Sequence, residues 1–180
     1  MSGAQADILA LYNQASQEAF RLETRQEYDV PAESAQFRAF MEGRPLPSDP
    51  RIDRSMQVGR AVASRGVLLH RVHVLDLPLT TYLRYELAAY SENIATGEAV
   101  RIAIRSWHPS LGELTEDFAL FDPGSGHEAM VWMRYDPLGH LVDRDYSDDP
   151  SDLALAIRQR DVALAHSVPL SEFAHMAEAD

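Results

Sequence analysis

Tyr82, Glu86 and Asn93 recur at i, i+4 and i+11 along one stripe of a helical segment, and Arg101 and Arg105 alternate onto one face of the segment that follows. A phenol, a carboxyl and a carboxamide beside two guanidiniums could line a polar pocket, the arginines gripping an anionic group bidentately. Asp117 and Asp122 bracket the run "DFALFD" and could add acid/base carboxylates to it. These seven residues form the candidate pocket. The competing reading is a solvated helix face, with arginines satisfied by ordinary neighbouring carboxylates.

Other constellations carry less. His70 and His73 stand three apart in a strand-like run, which points them to opposite faces, so they cannot share a metal there. His127, His140, His166 and His175 are scattered singly, and no metal site is expected. The run "DRDYSDDPSD" (143–152) offers five aspartates, but a calcium loop starting at Asp143 would need Gly at its sixth place and Glu at its twelfth. Asp148 and Ala154 stand there instead. "PGSGH" (123–127) has Pro123 where a serine-nucleophile elbow needs glycine, and it joins two strands, not a strand and a helix.

The elements that must position these residues follow from periodicity. "ADILALYN" (6–13) is a short helix, and "AFRLETR" (19–25) is a strand with Phe20, Leu22 and Thr24 on one side. Pro31 opens a helix ending at Gly43, and a second runs over about 52–65 to Gly66. "VLLHRVHVL" (67–75) is a strand buried on much of both faces, residues 78–97 a helix, and "AVRIAIR" (99–105) a strand. Strand, helix, strand makes a βαβ unit with a parallel pair. After a loop over 106–116, "DFALF", "EAMVWMRY" and "GHLVDRDY" are strands joined by tight turns, an antiparallel meander. "DDPSD" caps a helix through about Ser167, Pro169 breaks it, and a short last turn follows. One α/β domain over residues 1–180 is expected: a mixed sheet with a central βαβ unit, an antiparallel meander at the edge, and flanking helices.

Composition excludes several chemistries. No cysteine is present, which removes disulfides, thiolate zinc sites and cysteine nucleophiles. All 16 basic residues are arginine, which removes Schiff-base lysines and the phosphate-binding lysine of P-loops and kinases. A net charge of −12 disfavours direct contact with nucleic acid. It suits a basic protein partner. Neither a membrane span nor a signal peptide is apparent, so a cytoplasmic location is expected.

Taken together, "YDVPAESAQFRAFMEG", "RVHVLDLPLTTYLRYELAAYSENIATGEAVRI", "EDFALFD", "MVWMRYDPLG" and "RDVALAHSVPLSEF" resemble an uncharacterised actinobacterial family catalogued only as a domain of unknown function. Its members are often encoded near helix-turn-helix regulators, which implies a regulatory circuit. The order of elements is also distantly similar to the phospholipase D superfamily. Aligning Asp122 with that motif's aspartate puts Thr115 where the nucleophilic histidine belongs and Asp117 where the lysine belongs, so such a copy would lack the chemistry. The leading expectation is therefore a non-enzymatic regulatory or interaction module without cofactor. It would bind a basic DNA-binding regulator and could form a homodimer. The alternatives are an enzyme or toxin acting on a phosphate-containing substrate, with Arg101 and Arg105 as clamp, and a small-ligand sensor using the same pocket.

Overall fold

In a computed structural model that describes residues 7–178, one seven-stranded sheet runs in the order β6-β5-β4-β1-β2-β3-β7. The strands are β1 (Glu18–Glu23), β2 (Leu68–Leu75), β3 (Ala99–Ile104), β4 (Asp117–Phe121), β5 (Ala129–Tyr135), β6 (Leu141–Ser147) and β7 (Val168–Pro169). The helices are α1 (Ile8–Gln14), α2 (Ser34–Met41), α3 (Pro50–Ser64), α4 (Thr81–Ala95), α5 (Pro150–Ala165) and α6 (Leu170–Glu178). β1, β2 and β3 are parallel, and every other pairing is antiparallel. The βαβ unit and the meander are thus one continuous sheet, spliced where β1 pairs antiparallel with β4.

Helix starts follow their caps. Asp49 accepts the Arg51 N–H ahead of Pro50, and Asp149 accepts that of Ser151 ahead of Pro150, which satisfies amides the helices leave free. Two expected starts shift. Residues 31–33 form a turn, closed by Glu33 N–H to the Val30 carbonyl at 2.9 Å, so α2 begins at Ser34 and not at Pro31. α4 begins at Thr81 because the Thr80 hydroxyl accepts the Leu83 N–H at 3.1 Å. The loop at 106–116 winds into two 3-10 turns, Arg105–Trp107 and Pro109–Glu113. Pro169 does more than break a helix: with Val168 it adds an edge strand beside β3, a place where its missing N–H costs nothing. The expected helix over "ADILALYN" begins within the described residues at Ile8, capped by Asp7; Ala6 lies outside them.

The two sheet faces are chemically different. Phe20, Leu22, Val72, Val74, Phe118, Leu120, Met130 and Trp132 point to one face and pack under Leu153, Ala156 and Ala163 of α5. This is the main apolar core. The opposite face is covered by α1 to α4. One end of it is apolar, with Ala19, Leu69, Phe121, Val131 and Met133 beneath Val62 of α3. At the other end β1 and β2 place Arg21, Glu23, Arg71 and His73, charged and polar groups buried or half-buried on the two central strands.

Candidate functional site

Arg21, Glu23 and Arg71 form the floor of a cavity of about 610 Å³ between the sheet, the segment 28–36 and helices α3 and α4, and His73 is fully buried beside them. α4 packs Leu83, Leu87 and Tyr90 against Val100, Ile102 and Ile104 of β3, which turns Tyr82, Tyr85, Glu86 and Asn93 toward the cavity. Six of the chain's seven tyrosines line it: Tyr12, Tyr28, Tyr82, Tyr85, Tyr90 and Tyr135. Aromatic walls interrupted by a few charged groups are the usual make-up of small-molecule sites.

On the floor, Glu23 accepts from Arg71 at 2.7 Å, from Arg21 at 3.4 Å and from the Tyr90 hydroxyl at 2.7 Å. Burial pushes its carboxyl up, but Arg71 and Arg21 outweigh burial and hold it down at about 2. Arg71 also grips Glu98 at 2.9 Å, and Glu98 in turn accepts from Asn93 at 2.7 Å. Arg21 donates to the Tyr135 hydroxyl at 3.1 Å. The Tyr90 hydroxyl also lies 2.8 Å from His73 Nδ1, while His73 Nε2 faces the Arg25 carbonyl at 2.8 Å and so carries a hydrogen. This floor is a lattice of paired charges in which both ring nitrogens of His73 are hydrogen-bonded.

The wall is different. The Tyr82 hydroxyl sits 2.8 Å from Glu33 Oε2 and 3.0 Å from Glu86 Oε1. A phenol has one hydrogen, so it donates to one carboxylate only; the other contact needs a carboxylic acid that donates to the phenol oxygen. Burial first, then the nearby carboxylates, push both Glu33 and Glu86 up to about 7. Burial likewise raises the phenols of Tyr28, Tyr82, Tyr85 and Tyr90, which stay protonated as donors. The folded state therefore keeps a proton that the unfolded chain, with a carboxyl near 4.5, releases. That stability is complete below about pH 4.5 and lost as pH rises through 7, roughly 3 kcal/mol for one such shift. Glu86→Gln removes the titration. Urea unfolding at pH 5 and pH 8 is expected to show the variant gaining on the wild type by about that amount at the higher pH. A difference that does not change with pH would refute the shared proton.

Glu23, His73 and Glu86 each offer a ligand atom within 4.8 Å of the others, a grouping absent from the sequence-based expectations. It does not fit a metal: Glu23 is already bound by two guanidiniums, and both His73 nitrogens are engaged.

Of the seven residues chosen from sequence, Tyr82, Glu86 and Asn93 line the cavity, and the other four do not. Arg101 pairs in register with Val72, which places it on the α5 face, opposite His73 and Arg71. There it holds the Ser167 hydroxyl at 2.9 Å and the Ser167 carbonyl. Arg105 lies past the end of β3 and is used on the carbonyls of Leu111, Leu114 and Thr24 and on Asp76. Asp117 stands behind the cavity wall, accepting from the Tyr28 hydroxyl and from the Thr24 N–H and hydroxyl, the latter two at 2.8 Å. Asp122 lies at the far end of β4, bound to the backbone of residues 16–18. Arg21, Glu23, Arg71, His73 and Glu33, which make the site, were missed. For the strand residues a signal was present, since polar groups alternate with apolar ones in both "FRLE" and "RVHV"; Glu33 lies in neither run.

Fold and cavity together define a mixed α/β domain with a tyrosine-walled, charge-lined pocket on one face of its sheet. Residues 6–175 match the family described as "Domain of unknown function (DUF6879)", and the chain belongs to that family. A search of curated proteins finds no match.

Proposed function

We propose that the domain binds a small organic molecule in the tyrosine-walled cavity and acts as a sensor that signals through a basic protein partner. The cavity carries the reading: about 610 Å³ is ample for such a ligand, and most of the chain's tyrosine is spent on its lining. Arg144, on its rim, has a buried Nε without a hydrogen-bond partner among the described residues, a donor that a ligand acceptor would satisfy. The phosphate-enzyme alternative needs Arg101 and Arg105 as a clamp, and both are held by other contacts away from the cavity. A phospholipase D-like reaction would need Asp122, whose carboxylate is committed to backbone amides.

The partner half rests on the net charge of −12 and on the chain's resemblance to a family whose members are often encoded near helix-turn-helix regulators, and such a regulator in the cytoplasm is the partner we propose. Among the described residues no helix is long and apolar enough to cross a membrane. A fragment library of aromatic amines, acids and neutral compounds, screened by thermal shift, tests the pocket. A ligand at 100 times its Kd adds about 2.7 kcal/mol of stability. Ala89→Phe, which fills the cavity from α4, is expected to abolish the shifts. No hit, or hits unaffected by Ala89→Phe, refutes the pocket. A regulator that fails to co-purify at low salt refutes the partner.

A further inference from the structure

The floor of the cavity is already supplied with guanidiniums, Arg21 and Arg71 bonding Glu23 and Arg71 also bonding Glu98. The wall is not. Glu33 and Glu86 converge on a single phenol hydrogen, and no guanidinium bonds either carboxylate among the described residues. The cluster is therefore one hydrogen short, and a proton on one of the two carboxyls makes up the difference. We propose, resting on the ligand-binding reading above, that the Glu33–Tyr82–Glu86 cluster is the subsite for a protonated amine on an aromatic ligand. An ammonium has three donors and can serve both carboxylates at once, which one hydroxyl hydrogen cannot. The rings of Tyr82, Tyr85, Tyr28 and Phe37 stand about the cluster, with neighbouring centroids 5.5 to 6.1 Å apart. Such faces attract a cation and flank a planar ring.

The exchange balances. The amine enters as the ammonium, the carboxyl that held the shared proton ionises, and that proton leaves to solvent, so no bond other than this O–H is broken. The groups that act on the cluster are Glu23, which opposes ionisation, and Arg71 and His73, which favour it. All belong to the floor and persist when ligand binds. The raised carboxyls of Glu33 and Glu86 agree with the geometry: below neutrality the proton competes with the amine, so affinity should climb between pH 6 and pH 8.

Phenethylamine, phenethyl alcohol and phenylacetate share a ring and differ in charge, which makes them suitable probes. In calorimetry at pH 6.5, in buffers of different ionisation enthalpy, phenethylamine is expected to bind at least tenfold more tightly than the other two and to release close to one proton. Glu86→Gln should cost the amine at least tenfold more than it costs the alcohol and remove the proton release, and a cooperative urea transition shows that the variant is folded. Equal or tighter binding of the alcohol or phenylacetate overturns the amine assignment, and so does amine binding without proton release. These outcomes leave the pocket itself intact. Binding of none of the three also overturns the amine assignment, and the broader screen with Ala89→Phe then decides separately whether the cavity takes a ligand at all.

Discussion

Glu23→Ala is expected to lower the unfolding free energy by about 3–5 kcal/mol, the usual cost of removing one partner from a buried ion pair. Glu23 is buried at the C-terminal end of the central strand, and its two oxygens collect Arg71, Arg21 and Tyr90. Without it Arg71 keeps Glu98, but Arg21, itself buried, keeps only the Tyr135 hydroxyl among the described residues. An uncompensated guanidinium under the sheet is the origin of the penalty. Glu23→Gln keeps the shape and one acceptor and should cost less. Arg21→Met added to Glu23→Ala should recover part of the loss, because a charge with no partner is worse than no charge. Acid gives a second readout. The Glu23 carboxyl is held below its ordinary value, so its contribution is full above about pH 4.5 and disappears as pH falls toward 2. The wild type should lose more stability over that window than Glu23→Ala does, since the other lowered carboxyls, Asp122 among them, titrate in both proteins. Equal acid sensitivity of the two proteins in urea titrations would contradict the network.

The cavity thus holds carboxyls displaced in opposite directions. Glu23 is drawn down by two arginines and Glu86 is pushed up by burial and by Glu33. Groups separated in this way can divide their tasks, one as fixed charge and one as proton holder. The floor supplies a rigid counter-charged base, while the wall retains the one site whose protonation a ligand can change.

Local order made the fold readable from sequence. The strands over 67–75 and 99–105, the helix between them and the three meander strands are each bounded by Gly, Pro or Asp turns, and each is found within a few residues of its expected place. Non-local order was less readable. β1 is buried along its whole length because β2 and β4 flank it, and both neighbours come much later in the chain. For the site this mattered directly. Helical spacing reveals the stripe Tyr82, Glu86, Asn93, but its opposing surface comes from β1 and β2 and not from β3, the strand next in sequence. The alternation that placed Arg101 and Arg105 on one face holds for Arg101. Parallel register with β2 puts that face under α5, and no local pattern specifies which face a helix will cover.

Asp122→Ala is expected to cost about 3 kcal/mol, through the start of the sheet and not through any reaction. The side chain does not open the turn that follows it; it reaches back to the chain entering β1. Oδ1 accepts the N–H of Gln17 at 2.7 Å and of Glu18 at 3.0 Å, and Oδ2 accepts the N–H and hydroxyl of Ser16, both at 2.9 Å. Its own N–H bonds the Glu18 carbonyl at 2.8 Å. Burial raises the carboxyl, but these donors outweigh it and hold it below its ordinary value, so it is a poor base and a strong clamp. The residue also has φ +47°, which aspartate tolerates better than alanine. Three variants separate the contributions. Asp122→Gly relieves the backbone but frees the amides, Asp122→Asn keeps one acceptor, and Asp122→Ala loses on both counts. The expected order of destabilisation by urea unfolding is therefore Ala, then Gly, then Asn. Because Ser16 is exposed and its amide can turn to water, the loss should stay below that of Glu23→Ala, whose stranded arginine has no such recourse. Ligand binding measured on folded Asp122→Asn should match the wild type, since the clamp lies outside the cavity lining. A binding defect in that variant with little change in stability would return Asp122 to the functional site.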